Sequence, residues 1–220
     1  MVEISTSLLT VKKENIIKTI YNLETAHTDY FHIDVMDGQF VKNDTNSLMQ
    51  EYCEYINSIS NIPLDVHLMV KDVKSYIKSY MIFNPNIITF QIEALETIQQ
   101  RKEIIQYIKD NGCKAGIAIK PNTPINQIYD LLPLVHMVLV MTVEPGEGGQ
   151  KLIPQTIEKI KELKDYLKNQ NIELDIEADG GINSENIEEI KSAGTDIIVS
   201  GSWIINSMEN QENWQLTQYK

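Results

Sequence analysis

His32 and Asp34 stand two residues apart in Tyr30-Phe31-His32-Ile33-Asp34-Val35-Met36, and His67 stands two residues after Asp65 in Leu64-Asp65-Val66-His67-Leu68-Met69. Asp179 ends a third such run and is followed at once by Gly180-Gly181. In an extended chain side chains alternate between faces, so residues spaced by two share a face. Two imidazoles and two carboxylates, His32, Asp34, His67 and Asp179, make a donor set for one divalent cation such as Zn²⁺, Fe²⁺, Mn²⁺ or Co²⁺, with positions left open for a ligand's oxygens. The chemistry of such a centre is that of a Lewis acid. A lone histidine in a strand is more often a packed one, and Asp65 reads equally well as a strand-end or core-network carboxylate. Four such groups facing one interior are too many for apolar packing, because uncompensated burial of charge is costly.

Glycines form the second feature. They occur in Gly146-Glu147-Gly148-Gly149-Gln150, Gly180-Gly181 and Gly201-Ser202. Glycine lets the backbone approach an anion closely, and N–H groups at a following helix N-terminus bind phosphate. One Gly-Gly is only a turn, whereas three such turns at one end of a fold point to phosphate.

Something must bring these segments together. Short β-type runs cover Val2–Leu9, Tyr30–Met36, Pro63–Met69, Ile87–Phe90, Lys114–Ile119, Met137–Met141, Glu173–Asp179 and Ile197–Ser200. Between them, apolar residues recur at three and four in Lys12–Leu23, Ser47–Ile59, Val73–Met81, Glu96–Lys109, Pro154–Asn169 and Ser184–Ser192, the pattern of amphipathic helices. Strands alternating with helical runs predict parallel pairing through right-handed crossovers. An open doubly wound sheet and a closed barrel both satisfy this. Eight strands at near-even spacing, each expected to be followed by a helical run, favour a single-domain α/β fold over residues 1–220, a (β/α)8 TIM barrel.

In such a barrel the functional face is at the C-terminal ends of the strands. His32 and Asp34 in the second strand, His67 in the third and Asp179 at the end of the seventh reach that face at about one level. The glycines follow strands six, seven and eight, and phosphate commonly binds after the last two. The two carboxylates come from well-separated strands and so face a substrate from opposite sides. On a ketose, a cation there would polarise the carbonyl and stabilise the enediolate left by loss of the adjacent C–H proton. Removal of a proton from one face and its return to the other is epimerisation.

Composition narrows the field. The 220 residues carry 19 Lys+Arg against 31 Asp+Glu, a formal charge of −12, which argues against a nonspecific nucleic-acid binder or a surface drawn to anionic lipid. Hydrophobic residues at 42% and charged residues at 23% match ordinary globular usage. Cys53 and Cys113 are too few for a disulfide framework, the start Met1-Val2-Glu3-Ile4-Ser5-Thr6-Ser7 has no basic leader pattern, and the longest apolar-rich run, Pro133 to Met141, is too short to span a bilayer. A cytoplasmic protein is expected.

The chain resembles the ribulose-phosphate 3-epimerases over nearly its whole length. The resemblance runs through His32-Ile33-Asp34-Val35-Met36-Asp37-Gly38, Asp65-Val66-His67-Leu68-Met69-Val70, Val140-Met141-Thr142-Val143-Glu144-Pro145-Gly146, Gly148-Gly149-Gln150, Asp179-Gly180-Gly181 and Gly201-Ser202. It implies a TIM barrel that interconverts D-ribulose 5-phosphate and D-xylulose 5-phosphate in the pentose phosphate pathway, with one divalent metal on His32, Asp34, His67 and Asp179. It also implies Asp34 and Asp179 as the acid/base pair, Ser7 and His67 as substrate contacts, Met36, Met69 and Met141 beside the reacting carbons, and a homo-oligomer.

Several positions depart from that pattern. Thr6 replaces a proline before Ser7, Gln39 a histidine after Asp37-Gly38, Lys42 a proline before Asn43, and Gln91 a histidine in the fourth strand. Glu144 stands where asparagine is usual and Glu147 where a bulky apolar residue is. A carboxylate near a phosphate dianion is unfavourable unless it points to solvent or pairs with Lys151 or Lys120. Two further readings stay open: action on a hexulose 6-phosphate such as allulose 6-phosphate, which Asp29-Tyr30-Phe31-His32 resembles, and sugar-phosphate binding without turnover.

Overall fold

Residues 2–210 and 214–220 are described by the computed structural model; Met1, with which the leader reading begins, and residues 211–213 lie outside it. Strands β1 (Glu3–Ser7), β2 (Tyr30–Met36), β3 (Leu64–Met69), β4 (Ile87–Gln91), β5 (Lys114–Ile119), β6 (Met137–Met141), β7 (Asp175–Asp179) and β8 (Ile197–Ser200) pair in parallel, each with the next. β1 pairs with both β2 and β8, so the sheet is a closed barrel. Around it run α1 (Ile16–Thr25), α2 (Asn46–Ile59), α3 (Val73–Tyr80), α4 (Ile98–Asp110), α5 (Gln155–Gln170), α6 (Ile187–Ser192) and α7 (Ser202–Asn210). No helix is long and apolar enough to cross a membrane among the described residues.

One crossover departs from the expected alternation. Between β5 and β6 there is no α-helix, only two 3₁₀ turns, Ile125–Gln127 and Leu132–Leu134. Pro121, Pro124 and Pro133 fall in this connection, and proline neither donates to a helix nor tolerates its interior. Side chains satisfy the freed backbone groups instead. The Lys159 ammonium on α5 donates to the carbonyls of Lys120, Pro121 and Thr123 at 3.0, 2.5 and 2.7 Å, while Glu93 accepts from Lys120 N at 2.9 Å and from Thr123 Oγ1. At the other end of the chain α7 supplies the helical run expected after the eighth strand, in a segment where no amphipathic stretch was picked out.

Register decides what the lumen contains. His32 lies opposite Asp65, Asp34 opposite His67, Ser7 opposite His32 and Asp179 opposite Met141. The alternate residues Ile33, Val35, Val66 and Leu68 point outward and are fully buried beneath the helices, where each contributes about 1.5–3 kcal/mol of burial. Inside, Ile87, Met137 and Ile197 with Tyr30 plug the N-terminal end, and Ala118, Leu139, Met141 and Val143 form an apolar wall on the β5–β6 side. Between them the lumen carries a band of polar side chains: Ser5 and Ser7, His32 and Asp34, Asp65 and His67, Thr89 and Gln91, Glu177 and Asp179, from β1 to β4 and β7. Cys53 and Cys113 are buried free thiols, each pushed up to about 12 by burial.

The C-terminal segment lies beside the closure of the barrel. Trp203 on α7 packs edge-on against Trp214 at 5.9 Å and Tyr219 at 4.8 Å. Leu216 N donates to Ala26 O at 3.0 Å, and Lys220 pairs with Asp29 at 2.7 Å.

Candidate active site

His32 and Asp34 from β2, His67 from β3 and Asp179 from β7 converge in the lumen below the C-terminal mouth. His32 Nε2 lies 3.5 Å from Asp34 Oδ1 and 4.0 Å from Asp179 Oδ2, and His67 Nδ1 lies 3.7 and 3.8 Å from the same two oxygens. All four donor atoms fall within 4.8 Å of one another. These separations are long for hydrogen bonds, and neither His32 Nε2 nor His67 Nδ1 has a partner. Four ligands about 2.1 Å from a tetrahedral centre stand about 3.4 Å apart, so the residues present fit a divalent cation after only slight contraction.

Each donor is held from behind. Ser7 Oγ donates to Asp34 Oδ2 at 2.7 Å, leaving Oδ1 for the centre. His32 Nδ1 donates to Asp65 Oδ2 at 2.6 Å, and Ser5 Oγ donates to the same oxygen at 2.8 Å. His67 Nε2 meets the Gln91 amide at 3.0 Å. Glu177 lies beneath, fully buried. Asp65 therefore belongs to the centre's supporting network, as do Ser5, Glu177 and Gln91. The signal for Asp65 and Glu177 was the same spacing of two, each preceding a donor on its own strand.

Electrostatics separate the carboxylates. Burial alone would raise Asp34, but the His32 and His67 imidazoles outweigh it and hold its carboxyl well below the usual range. Asp179 is raised to about 6, by burial first and then by the Asp34 charge. Glu177 is raised well above the ordinary carboxyl range by burial and by Asp65. Burial opposes a charge on His32, yet Asp65 and Asp34 beside it raise its pKa well above the ordinary value.

Above the centre opens a cavity of about 580 Å³. Its wall includes Ser7, Asp34 and Asp179 at the bottom, Met36, Met69 and Met141 around them, and Gly146, Glu147, Gly148, Gly149, Gly180, Gly181, Gly201 and Ser202 toward the mouth. His67, anticipated to touch substrate as well as metal, is 0% exposed and absent from that wall, so it reaches the cavity only through the cation position. Gly180 and Gly181 take φ of +124° and +67°, and a Cβ there would strike Val143 and the Leu152 backbone respectively. Ser202 begins α7, and with Trp203 it puts the first turn of that helix, whose N–H groups have no partner within the helix, beside the same mouth. Asn183 and Asn186 join the wall, unanticipated; Asn186 Nδ2 donates to Gly181 O at 3.0 Å.

The mouth also shows what becomes of the unusual glutamates. Glu144 and Glu147 are both exposed, and Gln150 Nε2 donates to their carbonyls at 2.7 and 2.9 Å. Lys120 lies 4.5 Å over the Phe40 ring instead of pairing with either. Asn43 Nδ2 donates to Gly146 O at 2.8 Å, tying the loop after β2 to the loop after β6.

Known proteins resemble this chain over most of its length. Residues 3–205 match the ribulose-phosphate 3 epimerase family. A ribulose-phosphate 3-epimerase of Helicobacter pylori is 36% identical over 209 residues, covering 95% of this chain and 93% of that protein. One of Escherichia coli is 38% identical over 185 residues, covering 82% and 79% respectively. Among solved structures, KGPDC from Streptococcus mutans superposes with a TM-score of 0.68 at 11% identity, over 97% of this chain and 92% of that one, which is a likeness of fold. The family match over nearly the whole chain and these relatives show that the chain belongs to the ribulose-phosphate 3-epimerase family and is an epimerase.

Proposed function

We propose that the chain interconverts D-ribulose 5-phosphate and D-xylulose 5-phosphate by two-base proton transfer at C3. The observation that carries this is the pair of carboxylates, Asp34 on β2 and Asp179 on β7, both on the cavity floor and reaching it from separate strands. One carboxylate takes the C3 proton from its side, a 2,3-enediolate results, and the other returns a proton to the opposite face. Ser7 holds Asp34 in place through the 2.7 Å bond to Oδ2. The glycine turns and the start of α7 bind the phosphate through backbone N–H groups, and Met36, Met69 and Met141 keep water from the reacting carbons. His32, Asp34, His67 and Asp179 would hold one divalent cation, of the Zn, Fe, Mn or Co type, which when bound supplies Lewis-acid polarisation of the carbonyl.

Two of the residues that suggested the hexulose reading lie away from the site. Tyr30 belongs to the apolar plug at the opposite end of the barrel, and Asp29 accepts from Ile4 N at 2.7 Å and pairs with Lys220. Neither borders the cavity.

Proton NMR in D₂O tests the proposal. With ribulose 5-phosphate, deuterium should appear at C3 together with the epimer, and a chelator should suppress both. Exchange on allulose 6-phosphate alone would reassign the substrate, and exchange that survives in both Asp34→Asn and Asp179→Asn would rule out the two-base mechanism.

A further inference from the structure

The two imidazoles offer different nitrogens to the centre, His32 its Nε2 and His67 its Nδ1. A neutral imidazole that ligates through one nitrogen carries its proton on the other, and whatever accepts that proton fixes the ring. His32 has Asp65 for this purpose, at 2.6 Å. At His67 the corresponding nitrogen, Nε2, has only the side chain of Gln91, and both residues are 0% exposed.

Which end of the amide faces the ring matters. The amide nitrogen of Gln91 stands 3.0 Å from His67 Nε2. With that end toward the ring the amide donates and Nε2 accepts, an arrangement that goes with the His67 tautomer protonated on Nδ1, the nitrogen 3.7 and 3.8 Å from Asp34 Oδ1 and Asp179 Oδ2. That is a sound arrangement for a centre without a cation, where the carboxylates welcome a donor. It leaves Gln91 Oε1 buried with no partner. Half a turn about the last side-chain torsion, which is broad and soft in glutamine, brings Oε1 to His67 Nε2. Nε2 then carries the proton and donates it, and Nδ1 presents a bare lone pair to the centre.

We propose that Gln91 is a positioning residue whose amide turns over with cation loading and so selects the ligating tautomer of His67. The inference rests on the cation reading given above. The net protonation of His67 does not change; its proton passes from Nδ1 to Nε2. An amide serves both states because one end donates, the other accepts, and neither is charged. A carboxylate at this position can only accept, and a thioether of the same length does neither usefully.

Two measurements on metal-stripped and reloaded whole protein decide the matter. Long-range ¹H–¹⁵N spectra of histidine-labelled protein should show the His67 proton on Nδ1 without metal and on Nε2 with Zn²⁺. A proton on Nε2 in both states would overturn the switch, and this reading needs no variant. Titration with Co²⁺, followed by its visible absorption, should show one site per chain. Gln91→Met should bind about 10–100-fold more weakly, and Gln91→Glu, which keeps an acceptor, should recover most of the loss. Binding by Gln91→Met within threefold of the unaltered protein would refute the role of Gln91 and leave the cation site standing. Absence of Co²⁺ binding to the unaltered protein would overturn the cation site itself, and this proposal with it.

Discussion

Asp34 is the side chain on which most of the site converges: one oxygen takes the Ser7 hydroxyl and the other faces both imidazoles. Ser7→Ala removes a bond to a charged group worth about 1.5–3 kcal/mol. It should lower kcat about 10–100-fold, in steady-state assays, with a smaller effect on KM because Ser7 acts by placing Asp34. Loss of either carboxylate should cost about 10²–10⁴-fold, the usual span for a general acid or base. Glu177 allows a test by pH. Its folded pKa is raised by burial and by Asp65, so folding favours its protonated form. The stability it lends is present below its unfolded pKa, near 4.5, and is lost as pH rises toward the folded value. Glu177→Gln keeps the shape without the charge, and its melting temperature should gain on that of the unaltered protein as pH climbs from 4.5 toward neutral. A constant difference across that range would show that Glu177 is ionised in the fold.

Elements explain why some of this was legible in the sequence and some was not. The candidate donors His32, Asp34, His67 and Asp179 stand out because a period of two in two strands, and a carboxylate ending a third just before Gly180-Gly181, can be seen without knowing how those strands are arranged. The contact of Asp65 with His32 depends on the register of β3 against β2, and the Glu177–Asp65 juxtaposition depends on the curvature that brings β7 across the lumen to β3. No local pattern encodes either one. The β5–β6 connection misled for a related reason: three prolines in a short stretch outweigh the alternation of the other crossovers, and the substitute for a helix is a lysine from α5. Lys159→Met should leave three carbonyls short of a donor and cost about 2 kcal/mol in denaturant unfolding, while Lys159→Arg should cost less.

At the scale of the whole molecule the barrel exists only when β1 and β8 meet, and until then both are open edges. Beside that seam the C-terminal segment lies against α7 and the loop after α1, through Trp214, Leu216, Tyr219 and Lys220. Trp214→Ala empties a site only 7% exposed and should cost about 3–5 kcal/mol, measured by chemical denaturation, a large part of the stability of a domain this size. The two tryptophans of the chain, Trp203 and Trp214, are both in this cluster, and Trp203 also borders the cavity beside Gly201 and Ser202. The protein's own fluorescence is therefore a local instrument. It watches a single place where the cavity mouth and the seam of the barrel share a side chain, so arrival of a sugar phosphate and parting of that seam should each change the emission, one without the loss of helical dichroism that marks the other.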